Sequence, residues 1–145
     1  MAKTIDQLSI FVENKAGSLV RITRILADAQ VDIRAMSLAD TADFGILRLI
    51  VNRTAAAVEA LSNSGCIVAV NEVIAVLIPD EPGGLSSVLS LLADNSLFIE
   101  YSYAFITRKN NKACVVFRVE DNAKAQTVLE SAGIALAGAD ELFDL

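Results

Sequence analysis

The chain has 145 residues, 54% of them hydrophobic, and its 12 basic against 18 acidic side chains leave a net charge of −6. That length supplies one ordinary domain or two small ones with a shared core, and no apolar run approaches the roughly 20 residues that cross a bilayer. The acidic balance excludes the basic stripe that nucleic acid binding needs, and the lack of histidine removes the commonest general base, the commonest metal ligand and every Ser-His or Cys-His nucleophile.

The first predicted element is a strand over about Ile5 to Glu13. Leu8, Ile10 and Val12 alternate there with Gln7, Ser9 and Phe11, the period of a sheet with one buried face. The turn Asn14-Lys15-Ala16-Gly17-Ser18 leads into a helix. Leu19, Ile22, Ile25, Leu26 and Ala29 give that helix one apolar face. A strand over about Asp32 to Ala39, the turn Asp40-Thr41-Ala42-Asp43-Phe44-Gly45 and a strand over about Ile46 to Asn52 follow, the last with Leu47, Leu49 and Val51 on one side. A helix over about Thr54 to Ser64 stops at Gly65, which can take the left-handed cap conformation. Cys66 to Val70 reads as a short closing strand.

The order then repeats. A strand over Val73 to Pro79 enters the turn Asp80-Glu81-Pro82-Gly83-Gly84, and a helix leaves it carrying Leu85, Val88, Leu89 and Leu92. Strands over about Leu97 to Thr107 and Ala113 to Glu120, a helix over about Asn122 to Ala132 ending at Gly133, and a short strand from Ile134 complete the copy. Gly17 and Gly83, Leu19 and Leu85, and Ile33 and Ile99 each lie 66 residues apart. Gly65 and Gly133 lie 68 apart, which places a two-residue insertion near Arg108 to Lys112.

Each copy thus reads β-α-β-β-α-β, the ferredoxin-like split βαβ arrangement of an α+β protein. Two helices would cover one face of a four-stranded antiparallel sheet. Residues 1–70 form the expected first module and residues 71–145 the second. The connection Val70-Asn71-Glu72 is too short to let them drift apart, so a rigid side-by-side pair is expected.

The chemistry concentrates at the two glycine turns. A helix that begins at a glycine offers free backbone N–H groups to an anion, so Gly17, Ser18 and Leu19 can hold a carboxylate. Asn14 and Asp80 occupy equivalent positions, and each can accept a hydrogen bond from an α-ammonium group. The same residues also have a plain use, since glycine frees a turn and Asn or Asp caps a helix. In the hairpin turn, Asp40, Thr41 and Asp43 are polar and Phe44 can wall an apolar side chain; an ordinary hairpin tip reads the same way. Arg21 and Arg24 read as a solvated helix face, Arg34 is ambiguous, and Arg108, Lys109 and Lys112 fit a hairpin tip. Tyr101, Tyr103 and Phe105 share one side of a strand. Packing explains them, including sheet contact with a second copy, so a homodimer is expected. Cys66 and Cys114 read as buried free thiols, and their spacing fits no usual zinc pattern; no catalytic residue, metal or cofactor is expected. The N-terminus lacks the apolar core of a signal peptide, which makes a cytoplasmic place the expectation.

The stretches Glu13 to Leu19, Ala39 to Arg48 and Pro79 to Leu85, in this topology, resemble tandem ACT domains of the short bacterial type. The family usually has proline before the turn glycine; Pro82 keeps it and Ala16 does not. The resemblance implies a non-catalytic regulatory module that binds an amino acid where the first turn of one domain meets its neighbour. On that basis the candidate ligand residues are Asn14, Lys15, Ala16, Gly17, Ser18, Leu19, Asp40, Thr41, Asp43, Phe44, Asp80, Pro82, Gly83, Gly84 and Leu85. Output would pass through another protein. The competing readings are a ligand-free small subunit of a larger enzyme and, more remotely, an acylphosphatase-like hydrolase using Arg34 and Asn14.

Overall fold

The structure is a computed structural model and describes residues 3–40, 43–105 and 111–142. The chain divides into two compact units. One is Asp6–Asn71; the other runs from Glu72 onward and takes in the N-terminal residues through Ile5.

In the Asp6–Asn71 unit the elements are β1 (Ile5–Glu13), α1 (Ser18–Asp28), β2 (Ile33–Asp40), β3 (Phe44–Val51), α2 (Thr54–Asn63) and the first residues of β4 (Val68–Pro79). β3 runs antiparallel to β1 and to β2, with Ile10 opposite Leu47, Leu8 opposite Leu49 and Leu38 opposite Leu47. The pleat sends alternate residues to opposite faces. Leu8, Ile10, Val12, Leu47, Leu49 and Val51 therefore share a face, and Ile22 and Leu26 of α1 with Ala57 and Leu61 of α2 pack on it. Each buried Leu, Ile or Val among them stabilises the unit by roughly 1.5–3 kcal/mol. The strand order is β2-β3-β1-β4, so β2 is the edge.

Two features of this unit depart from expectation. Gln7 lies on the side of β1 that alternation marks as polar, yet it is fully buried. Its Nε2 donates to Ser9 Oγ (3.4 Å), and Ser9 Oγ donates to Asn71 Oδ1 (2.6 Å), which supplies the partners that buried polar groups require. The short closing strand and the connection at Val70-Asn71-Glu72 are absent as separate features. β4 starts at Val68 and continues without a break through Asn71 to Pro79. No Gly or Pro interrupts Val68 to Ile78, and the β-branched residues there favour extension, so nothing stops the strand.

The other unit contains the rest of β4, then α3 (Gly84–Asp94), β5 (Ile99–Phe105), β6 (Lys112–Val119), α4 (Asn122–Ser131), β7 (Leu136–Ala137) and α5 (Ala139–Leu142). β6 pairs antiparallel with β4 and β5, and β7 pairs with β4 on its other side. Ile74, Val76, Ile78, Val115, Phe117 and Val119 form the covered face, under Val88 and Leu92 of α3 and Ala125 and Leu129 of α4. Asp121 caps α4 by accepting from the Lys124 N–H (3.0 Å). Tyr101 and Tyr103 are half-buried on the face away from the helices, opposite Arg118 and Val116. Cys114 is a buried free thiol, pushed up to about 12 by burial. The turn α5 has no counterpart in the first copy. Lys3 ties it down through an ion pair to Glu141 (2.8 Å), and that contact together with the Gly138 N–H holds the Glu141 carboxyl below its usual range. Both units thus show the expected βαββαβ plan, with antiparallel sheets and their two main helices on one face.

Candidate functional site at the first strand-to-helix corner

β1 ends where the chain must reverse into α1, and a left-handed residue makes the reversal. Gly17 has φ 90° and ψ −12°; Gly83, at the corresponding corner of the other unit, has φ 89° and ψ −12°. Such φ values are costly for any residue with a Cβ. The hydrogen bonds repeat as well. The Lys15 N–H donates to Glu13 O (2.9 Å), Ser18 N–H to Lys15 O (3.3 Å) and Arg21 N–H to Gly17 O (3.0 Å). At the second corner the matching bonds run from Glu81 to Pro79 (2.9 Å), Gly84 to Glu81 (3.0 Å) and Ser87 to Gly83 (3.0 Å). The Asn14 N–H reaches Asp43 O (3.0 Å), which pins the β2–β3 turn against the corner. The Ser18 N–H is therefore spent within the turn. Leu19 and Val20, in the first helical turn, have no carbonyl one turn back to bond.

An opening lies beside this corner. The Phe11 N–H donates to Ile67 O (3.0 Å) just before β4 begins, and the chain upstream turns off through Cys66 and Gly65. The end of β1 borders a cleft of about 490 Å³. Phe11, Val12 and Glu13 line it together with Lys15, Ala16, Gly17, Ser18, Arg21, Ile22, Phe44, Gly65, Cys66 and Ile67. The register places Glu13 opposite Phe44 and Phe11 opposite Ile46, so both phenyl rings share a face; their centroids lie 6.0 Å apart, edge to face. A second cavity of about 90 Å³ also borders the corner, and Asn14, Leu19, Leu38 and Gly45 help line it.

Arg21 is exposed, as expected of a polar helix face, but its side chain is also tied down. Its guanidinium donates from Nη2 to Ser64 O and from Nη1 to Cys66 Sγ (3.5 Å). The cause is local. α2 ends with the Cys66 N–H on Leu61 O (3.0 Å) and the Gly65 N–H on Ser62 O (3.1 Å), while Ser64 O is left to accept from a side chain. Cys66 is a free thiol packed against the core, but it is only half-buried and lines the cleft wall, which corrects the expected full burial. The signal for both was the left-handed Gly65, which sets how the chain returns past α1.

The candidate residues distribute unevenly. Lys15, Ala16, Gly17, Ser18 and Phe44 line the large cleft, and Asn14 and Leu19 line the small one. Asp43 contributes a backbone carbonyl, and Asp40 is placed by its pairing with Gly45. Thr41 lies outside the described residues. Asp80, Pro82, Gly83, Gly84 and Leu85 form the equivalent corner of the other unit. There Ser87 and Glu81 stand where Arg21 and Lys15 stand, and Leu77 and Lys112 where Phe11 and Phe44 stand. A Cβ at Gly84 would lie 2.3 Å from Pro79 O, so α3 starts hard against the end of β4. Arg34 pairs with Asp32 (3.8 Å). Among the described residues no group of three or more Cys, Asp and Glu could hold a metal ion.

Two βαββαβ units, each passing from first strand to first helix through a left-handed glycine, define a duplicated ferredoxin-like pair. The family model described as the ACT domain pair matches residues 3–144, and the chain belongs to that family. The crystal structure of protein BT0572 from Bacteroides thetaiotaomicron is similar at 39% identity and a TM-score of 0.92, with 99% of each chain covered. The ligand-free regulatory subunit of aspartate kinase from Thermus thermophilus shares the fold at 13% identity and a TM-score of 0.64, over 90% of this chain and 93% of that one. Aspartate kinase from Synechocystis shares it at 19% identity and a TM-score of 0.64, over 95% of this chain but 27% of the enzyme. No curated protein matches the chain.

Proposed function

We propose that the chain is a non-catalytic regulatory module that binds an amino acid at its strand-to-helix corner and acts through its own association or that of a protein partner. The observation that carries this is the 490 Å³ cleft, whose lining combines the Gly17 corner, the anchored Arg21 and two phenyl rings within one unit. A small-molecule site is typically a concavity of this size, with apolar walls and a few placed polar groups. Family membership and the likeness of fold to the Thermus aspartate kinase regulatory subunit lend support. A ligand can signal only by binding one state of the molecule better than another. Calorimetric titration with each standard amino acid at millimolar concentration is the test; heat of binding with at least one is expected, and silence with all of them would sink the proposal.

The edge strand favours a second component of the same reading. β2 closes the sheet of its unit and leaves Met36 and Leu38 about half exposed. An apolar sheet edge is a template for another chain, and we assign it to homodimer formation, with an enzyme partner as the competing occupant. Among the described residues no helix is long and apolar enough to cross a membrane.

A further inference from the structure

We propose that the cleft beside Gly17 takes one class of ligand, an α-amino acid with a large apolar side chain, and that each chain binds a single such molecule, in the Asp6–Asn71 unit; this rests on the amino-acid reading above. The cleft lining contains a complement for each part of that molecule. The guanidinium of Arg21 is held from behind by Ser64 O and Cys66 Sγ. A guanidinium carries about five N–H donors in a fixed fork, so the others remain for a carboxylate. The Glu13 carboxylate pairs with Lys15 (3.0 Å), and both side chains are well exposed. An exposed pair of this kind is weak, so a ligand ammonium group can replace Lys15 on Glu13. Phe11, Phe44 and Ile67 leave apolar surface in water, at 53%, 48% and 73% exposure, and all three line the same concavity. Apolar surface gathered in a concave place is what an apolar side chain would cover.

The second copy is the internal control. Its corner has the same backbone within about a degree of φ at the glycine, and none of these complements. Ser87 replaces Arg21, Pro79 replaces Glu13, Leu77 and Lys112 replace the two phenylalanines, and Ile134 replaces Cys66. The left-handed glycine is kept at both corners because the reversal of the chain requires it. The ligand-facing side chains are present at one.

The test titrates the full chain, by calorimetry and native mass spectrometry, with leucine, isoleucine, methionine and phenylalanine. Glycine, aspartate and lysine are run in parallel, as are 4-methylpentanoate, which is leucine without the ammonium group, and isoamylamine, which is leucine without the carboxylate. One molecule per chain of an apolar amino acid is expected, with the charged, side-chain-free and truncated compounds weaker by about tenfold or more. Arg21→Ala weakens binding by about tenfold or more, Arg21→Lys by less, and Ser87→Ala leaves it unchanged. Two molecules per chain, a preference for glycine or a charged amino acid, or full affinity in a folded Arg21→Ala variant would each overturn the assignment while leaving the amino-acid reading intact. Should Arg21→Ala fail to fold, stoichiometry and selectivity of the unaltered chain decide. Failure of every amino acid to bind overturns both.

Discussion

Gly83 and Gly84 are neighbours with different reasons to be glycine, and the difference is measurable. Gly17 and Gly83 sit at φ near +90° with nothing within 4 Å of an added Cβ, so alanine there suffers only the left-handed backbone. That penalty is about 1–2 kcal/mol. Gly84 lacks this backbone constraint, but an added Cβ would stand 2.3 Å from Pro79 O, a backbone atom fixed in β4. Gly84→Ala is expected to lose about 3 kcal/mol, the upper end of the usual overpacking range. Gly17→Ala is expected to lose about half as much, and urea unfolding of the two variants orders them. Equal losses would show that α3 can slide away from β4. The Gly17 and Gly83 corners were legible in the sequence because a left-handed turn leaves a glycine behind. The contact at Gly84 was not, since it depends on how closely a helix approaches a strand and its counterpart in the first copy is Ser18.

At the scale of elements, all four long helices end alike, though only two advertise it. After α2 and α4 the left-handed residue is Gly65 or Gly133; after α1 and α3 it is Gln30 or Ser96, each at φ 59°. The bonds are the same in kind: Cys66 N–H to Leu61 O (3.0 Å), Ile134 N–H to Leu129 O (2.9 Å), Val31 N–H to Leu26 O (2.9 Å) and Leu97 N–H to Leu92 O (2.9 Å). Gln30 and Ser96 therefore hold a backbone that glycine adopts more readily. Ser96→Gly is expected to raise stability by about 0.5–1 kcal/mol, the relief of the left-handed residue less the entropy that glycine adds to the unfolded chain. A lower melting temperature in that variant would contradict the cap geometry. Periodicity located the four long helices and the long strands, because each buries one face: Leu8, Ile10 and Val12 at spacing two, and Ile22 and Leu26 at spacing four. It misjudged β4, because a strand continuing from one copy into the next carries no punctuation, and it missed α5, which is held by Lys3 from the far end of the chain. Arg21 escaped for a similar reason. Its place on α1 is polar by period, and only the return of the chain at Gly65 brings Ser64 O and Cys66 within its reach.

At the scale of the whole molecule the charge decides how the proposed dimer should behave. Each chain carries −6, so two copies repel, and any association must come from apolar contact and strand pairing. β2 offers both, with a free edge and with Met36 and Leu38 about half exposed. Salt screens the repulsion within about 10 Å at ~0.1 M, so sedimentation should show a dimer that tightens as salt is added. Leu38→Lys separates the two contributions. The substitution makes each chain less negative, which taken alone favours association. It also places on the edge strand a charge of the kind that natural sheets use against edge-to-edge pairing. Because Leu38 is already half exposed, the fold should lose no more than about 0.5–1 kcal/mol. The expected outcome is a folded monomer whose melting temperature falls by no more than a few degrees. A Leu38→Lys chain that dimerises as tightly as its parent would move the interface away from β2, to another apolar surface of the molecule.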